Sequence, residues 1–255
     1  MTATVRSAAR VLDVLEYLAG RAVGASLSEA SEALALPKSS TLMLLRTLLV
    51  RGYVTRDAGD RYHLNETFRT HGFGWGGHRY ARLIALAEPV MQQLCDSVGE
   101  TVLLGAAEGG AVKLLAKVVA RQAISYDIDL ADGFPFYCSA MGRILIAFSP
   151  EENREAMLCA EPRVKRTPST VTKLDALRAI VAQVRDDRLA IVEEEFVLGG
   201  TGIAAPIFAP DGTILATLDV GCITTRFQAK RAEVLKALAQ SAQALTQSLA
   251  MQDGE

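Results

Sequence analysis

Residues 26–64 read SLSEASEALALPKSSTLMLLRTLLVRGYVTRDAGDRYHL, and the rest of the chain takes its meaning from them. Ser26 and Glu29 fit the S-x-x-E pattern of a capping box, with Ser28 an alternative cap, so a short helix begins here and turns Ala30, Ala33 and Leu34 inward. Pro37 presets the backbone for the first turn of a second helix. In that helix Thr41, Leu45 and Leu48 recur at i, i+4 and i+7, the spacing of one buried face. Two short strands over 53–56 and 61–64 then flank a four-residue turn containing Gly59. Helix, tight turn, helix and hairpin in this order make a winged helix-turn-helix, a device that lays its second helix in the major groove of DNA.

The groove-facing surface of that helix then carries Lys38, Ser39, Ser40, Met43 and Arg46. Ser39 and Ser40 sit in the first turn, where hydroxyls and free N–H groups meet phosphate. Arg46 is the side chain able to take guanine with two bonds, or else a phosphate, whereas Met43 and Leu42 offer at most contact with a thymine methyl. Arg56 and Arg61 flank the hairpin tip and are expected to add salt-dependent contacts to the backbone or minor groove. Upstream, a helix starting near Arg6 or Ser7 and ending at Gly20 is expected to bury Val11, Leu12, Leu15 and Leu18, with Asp13 and Glu16 opposite.

The 255 residues carry a net charge of -2, which alone argues against nucleic acid. Its distribution reverses that: residues 1–80 hold ten lysines and arginines against seven acids, and the remainder is acidic. A basic head on an acidic body suits a dimer whose two heads pool their phosphate contacts. No apolar run approaches the ~18 residues that span a membrane, and the N-terminus is not a signal peptide, so a cytoplasmic chain is expected. Cys95, Cys138, Cys159 and Cys222 form no CxxC pair and read as free thiols. His63, His71 and His78 are too widely spaced to suggest a metal site, and nothing calls for a cofactor.

Residues 71–78, HGFGWGGH, contain four glycines and the single tryptophan and mark an interdomain joint. Asn65 is placed to cap a helix through it, one weakened by glycines at ~1 kcal/mol each relative to alanine. The division is a head over 1–64, a linker over 65–80 and a body over 81–255. The body opens with an amphipathic helix from Ala81, carrying Leu83, Leu86, Val90, Met91, Leu94 and Val98, that stops at Gly99. Strands over 101–107, 112–120 and 123–128 follow, then a loop over 129–137 and helices over 139–148, 151–158 and 172–188. Strands return over 189–195, 202–208 and 213–221, and a long helix over 226–251 closes the chain. Strands, a helical interlude and strands again give an α+β domain with one mainly antiparallel sheet flanked by helices.

The order of motifs resembles the IclR family of bacterial transcriptional regulators along essentially the whole chain. In the head the matching pieces are residues 7–12, 36–40, 44–48 and 51–54; in the body they are 99–102, Ser139-Ala140-Met141-Gly142-Arg143, Glu194-Glu195 with Gly199, and 203–208. The resemblance implies a winged-helix head, a linker helix and a GAF-like effector-binding domain. It also implies a homodimer or tetramer, palindromic double-stranded operators near catabolic genes, and control by a small organic acid such as a keto, hydroxy or aromatic acid. The family's effector pocket maps here onto Cys138, Ser139, Ala140, Met141 and Gly142, Val192 and Glu193, Gly202, Asp219 and Gly221. Amides at the start of the helix after Ser139 suit a carboxylate. Where some relatives carry serines, this chain has Asp219 and Gly221, and an aspartate repels a simple carboxylate unless the ligand brings it a donor. A hydroxylated, aromatic or amino-bearing acid is therefore expected, rather than glyoxylate or pyruvate.

Two other readings stand beside this one. A redox-sensing regulator would use Cys138 or Cys222. An enzyme would need a nucleophile and a base, but the body has no histidine; its candidate bases are Glu193, Glu194, Glu195, Asp127, Asp129 and Asp132, in runs that read as solvated faces. No catalytic residue is assigned.

Overall fold

The computed structural model describes residues 5–21, 23–71, 80–130 and 133–250. Its contacts divide the chain into two compact units, Met1–Leu86 and Ala87–Glu255, so the division falls later than expected, inside one helix. In the first unit α1 (Arg6–Ala19) ends at Gly20 and buries Val14, Leu15 and Leu18. Leu12, expected inward, is exposed, because the stripe runs through Val11, Val14, Leu15 and Leu18 at i, i+3, i+4 and i+7.

The capping box forms as expected at α2 (Leu27–Ala33): the Glu29 amide donates to Ser26 Oγ at 3.3 Å and the Ser26 amide to Glu29 Oε2 at 2.7 Å. Ala30 and Ser31 are buried while Ala33 is exposed, since seven residues present only one turn to the core. The Ser31 hydroxyl donates to Leu36 O at 2.6 Å and tightens the turn. Across it α3 (Lys38–Val50) departs from α2 at 114°, within the range of helix-turn-helix pairs. Thr41, Leu45 and Leu48 are buried as their spacing requires. Gly52 closes α3 with φ +74: its amide bonds Leu49 O at 3.0 Å and the Tyr53 amide bonds Leu48 O at 2.9 Å, a left-handed cap that disfavours side chains.

β1 (Val54–Arg56) and β2 (Tyr62–Leu64) pair antiparallel, with Val54 opposite Leu64. α4 (Glu66–His71) follows, and Asn65 Oδ1 accepts from the Thr67 amide at 3.0 Å. Phe68 is buried in the head core, its ring 4.8 Å from that of Tyr53, so the segment expected as linker begins as part of the head. The glycine run with Trp75 and His78 lies outside the described residues, as does the His71 side chain.

The second unit takes up the C-terminal part of α5 (Ala81–Val98), where Met91, Leu94, Cys95 and Val98 are buried. β3 (Thr101–Glu108), β4 (Ala111–Val118) and β5 (Gly133–Phe134) come next. Three helices follow, α6 (Ala140–Phe148), α7 (Glu151–Leu158) and α8 (Leu174–Asp187). β6 (Ala190–Glu193), β7 (Gly200–Phe208), β8 (Ile214–Ile223) and α9 (Thr224–Ala250) complete the unit. The strands form one antiparallel sheet in the order β5-β4-β3-β8-β7-β6. β3, β7 and β8 are buried along nearly their whole length, hence on both faces, with α6 and α9 packed against the sheet.

The strand expected over 123–128 is absent. That stretch is tied down by a side chain instead of a ladder: Lys117 Nζ donates to Asp127 Oδ1 at 2.7 Å and to Ile128 O at 2.8 Å. α9 kinks at Lys230, where φ is -127. Beside the kink the fully buried Glu100 receives Arg226 Nε at 2.6 Å, Arg226 Nη2 at 2.8 Å and Lys230 Nζ at 2.8 Å. Burial alone would raise this carboxyl; the bonds from Arg226 and then Lys230 hold it below its usual value.

Candidate DNA-reading face and ligand cavity

On the outer side of α3, Lys38, Ser39, Met43 and Arg46 are exposed and Ser40 is half-buried. Neither Lys38 nor Arg46 has an ion-pair or hydrogen-bond partner among the described residues, so both charges are open to an anion. Arg56 pairs with Asp60 at 2.9 Å near the hairpin tip; both side chains are exposed, and such a pair is readily exchanged. Arg61 is placed differently from the sequence expectation. Its Nε donates to Val23 O at 3.1 Å, and its Nη2 lies 3.2 Å from Gly24 O and 3.1 Å from Glu29 Oε2. It braces the hairpin against the capping box of α2 within the head, a pairing 32 residues apart that no local pattern announces. Asp57 folds the tip, accepting from the Gly59 and Arg61 amides and lying 2.8 Å from His63 Nε2; these bonds, His63 first, hold its carboxyl below the usual range.

In the second unit Cys138, Ser139, Ala140, Met141, Gly202 and Asp219 line a small cavity of about 20 Å³. Val192, expected there, lines it too, while sequence reasoning missed Leu103, Tyr126, Phe134, Phe196, Val197 and Gly200, which share its wall. Tyr126 and Phe196 sit on irregular segments, so neither periodicity nor motif could have placed them. Gly221, expected in the pocket, lies beneath the Tyr126 ring: a β-carbon there would stand 2.5 Å from Cδ1. Gly142 faces the loop before α6, where a β-carbon would be 2.3 Å from Phe136 O, so glycine lets helix and loop close together. Glu193 points elsewhere and pairs with Arg231 at 3.1 Å.

Ser139 caps α6: its Oγ accepts from the Gly142 amide at 3.0 Å and donates to Pro135 O at 2.6 Å. The Ala140 and Met141 amides have no partner among the described residues. Asp219 is 3% exposed, and its carboxyl likewise makes no hydrogen bond or ion pair among them. Burial holds its carboxyl well above the ordinary range. Burial, then the charges of Asp219 and Cys138, push the Tyr126 phenol up as well.

Two charged residues of the motifs prove to be internal scaffolding. Arg143 donates Nη2 to Glu195 Oε2 at 2.8 Å and Nε to Tyr137 O at 3.1 Å, with the two side chains 3% and 10% exposed. Glu195 Oε2 also accepts from the Val171 amide at 2.9 Å. The expectation that residues 193–195 form a solvated acidic face is thus corrected for Glu195, which is buried as the partner of an arginine. Cys95, Cys138 and Cys222 are buried free thiols. Burial raises Cys138 and pushes Cys222 up to about 12, the reverse of what a reactive thiolate needs. Among the described residues no group of three metal-ligating side chains gathers, and no single helix is long and apolar enough to cross a membrane.

A winged helix-turn-helix followed by an antiparallel-sheet domain that surrounds a small cavity defines a DNA-binding transcriptional regulator. Residues 7–58 match the IclR helix-turn-helix domain and residues 79–247 the bacterial transcriptional regulator IclR C-terminal domain; the chain belongs to the IclR family. It is 30% identical to the HTH-type transcriptional regulator BhcR of Paracoccus denitrificans, over 89% of this chain and 81% of that one. It is 26% identical to XynR of Escherichia coli strain K12, over 96% and 97% of the two chains. Both relatives are regulators rather than enzymes. Among solved structures, an IclR homologue from Microbacterium hydrocarbonoxydans complexed with 4-hydroxybenzoate superposes with a TM-score of 0.63 at 25% identity, covering 95% and 98% of the two chains. The IclR of Thermotoga maritima gives 0.64 at 22% identity, covering 96% and 98%, a likeness of fold.

Proposed function

We propose that this regulator binds a palindromic operator as a homodimer or tetramer and is controlled by a small organic acid held in the cavity of its second unit, most directly to govern a catabolic operon. The observation that carries the reading is the cavity itself, built where the α6 amides and the Asp219 carboxyl share one apolar wall. Helix N-termini favour anions, so the acid group of an effector belongs beside Ala140 and Met141. Asp219 then selects an acid that also carries a hydrogen-bond donor. The 4-hydroxybenzoate complex of the Microbacterium relative supports an organic acid as the class of ligand. On the DNA side, Lys38, Ser39, Ser40 and Arg56 supply phosphate contacts and Arg46 reads a base or a phosphate. Arg61 is left out of that set because its guanidinium is engaged inside the head.

The test is a gel-shift titration of the full chain against DNA flanking its own gene, with and without small organic acids that raise its melting temperature. An acid that both stabilises the protein and shifts the titration supports the reading. DNA binding that no stabilising acid alters refutes effector control, and no specific DNA binding refutes the whole.

A further inference from the structure

The ligand chemistry of the cavity can be taken further, on the reading just given that it is the effector site. Three features bound it. The described residues that line it include no lysine, arginine or histidine; positive potential comes from the α6 N-terminus, whose Ala140 and Met141 amides have no partner among the described residues, and from Arg166 behind the wall, its guanidinium 4.7 Å from the Phe196 ring centre. Among the described lining residues the one charged side chain is that of Asp219, which has no partner among them. These lie close together: Asp219 Oδ2 stands 3.4 Å, and Ala140 Cβ 3.5 Å, from the single point where a side chain at Gly202 would begin. The carboxyl and the first residue of α6 are therefore no more than twice that distance apart, the span of one small head group.

We infer that this site takes the zwitterionic head of an α-amino acid, with the carboxylate on the Ala140 and Met141 amides and the ammonium on Asp219. A ligand that is only a carboxylate leaves Asp219 in the protonated form that burial favours, or else sets a second negative group beside it; it brings no cation to stabilise the ionised form. A hydroxyl gives Asp219 a bond but cancels neither charge. An ammonium gives three donors and cancels one charge, and its bond to a carboxylate is charge-assisted and hence shorter and stronger. Phe134, Phe196 and Tyr126 offer the amino acid's side chain an apolar, aromatic wall. Gly202 has no side chain to fill the point between the two anchors, which leaves that point to the ligand.

Two matched series decide it: phenylalanine, 3-phenyllactate and 3-phenylpropanoate, and alanine, lactate and propanoate, each titrated calorimetrically into the full chain. In at least one series the amino member is expected to bind more tightly than the hydroxy member by about tenfold or more, the factor that a bond to a charged rather than a neutral group is worth. Asp219→Asn keeps the shape and removes the charge; it should bring the amino and hydroxy members level, and its thermal unfolding shows that it folds. Hydroxy or unsubstituted acids that bind as tightly as the amino acids overturn this inference and leave the organic-acid reading standing. Amino acids whose affinity is unchanged in Asp219→Asn overturn it too. If no member of either series binds, the inference falls, and the organic-acid reading is then judged separately by the gel-shift titration.

Discussion

Replacing Arg143 by methionine tests whether the buried ion pair holds the second unit together. Methionine keeps most of the stem volume, so the change is mainly one of charge. It leaves Tyr137 O without its 3.1 Å donor and Glu195 Oε2 with the Val171 amide alone. Because both side chains are almost fully covered, water does not take over the lost role. Removing one partner of such a pair costs about 3–5 kcal/mol. At about 2–4 °C per kcal/mol for domains of this size, the melting temperature of the second unit should fall by roughly 6–20 °C. Differential scanning calorimetry of the wild type, Arg143→Met, Glu195→Leu and the double variant gives the full cycle. The double variant should recover most of the loss, since two apolar residues leave no stranded charge. An unchanged melting temperature in Arg143→Met, or a double variant no more stable than the single ones, refutes the reasoning.

The remaining predictions concern charge elsewhere. Arg46→Ala should weaken operator binding by ~1–3 kcal/mol and relax the site at one base pair, as read by gel shift on operator variants; unchanged affinity would mean that this face of α3 does not meet DNA. Arg56→Ala should lower the slope of log affinity against log salt by about one phosphate contact, whereas Arg61→Ala should lower the melting temperature of the head with little change in that slope. A reversed pattern would show that Arg61 leaves its brace to bind DNA. Asp219 has a folded-state affinity for protons above that of the unfolded chain, so its favourable contribution is complete below the usual carboxylate range and is lost as pH rises toward the raised folded value. Asp219→Asn should therefore be more stable than wild type at neutral pH and lose its advantage in acid, measured as urea midpoints across pH; a constant difference refutes the assignment.

The head was legible because its signals are local. A capping box, a proline at a helix start, a glycine after a helix end and an i, i+4, i+7 stripe each act within one or two turns, and all four hold in the structure. Leu12 failed because two stripes one residue apart look alike until the rest of the core chooses between them. The sheet was legible as a set of strands, but 123–128 was misread: β propensity there is overruled by Lys117, which holds the segment by its side chain. The cavity was only partly legible. Its α6 end and Asp219 followed from the resemblance, while Tyr126, Phe134 and Phe196 come from segments that share no periodicity with it. Arg61 and Glu195 show the same limit from the other side, since each has its charge satisfied by a partner far along the chain.

The Tyr126 ring, lying over Gly221 and against Gly200, has a bearing on dose. The ring is part of the wall of a small cavity, so if a ligand requires it to move, the form that accepts that ligand is a fraction of the population. Apparent affinity is the intrinsic affinity reduced by that fraction. On the effector reading, one aromatic side chain thus sets the concentration at which the cell's transcription responds.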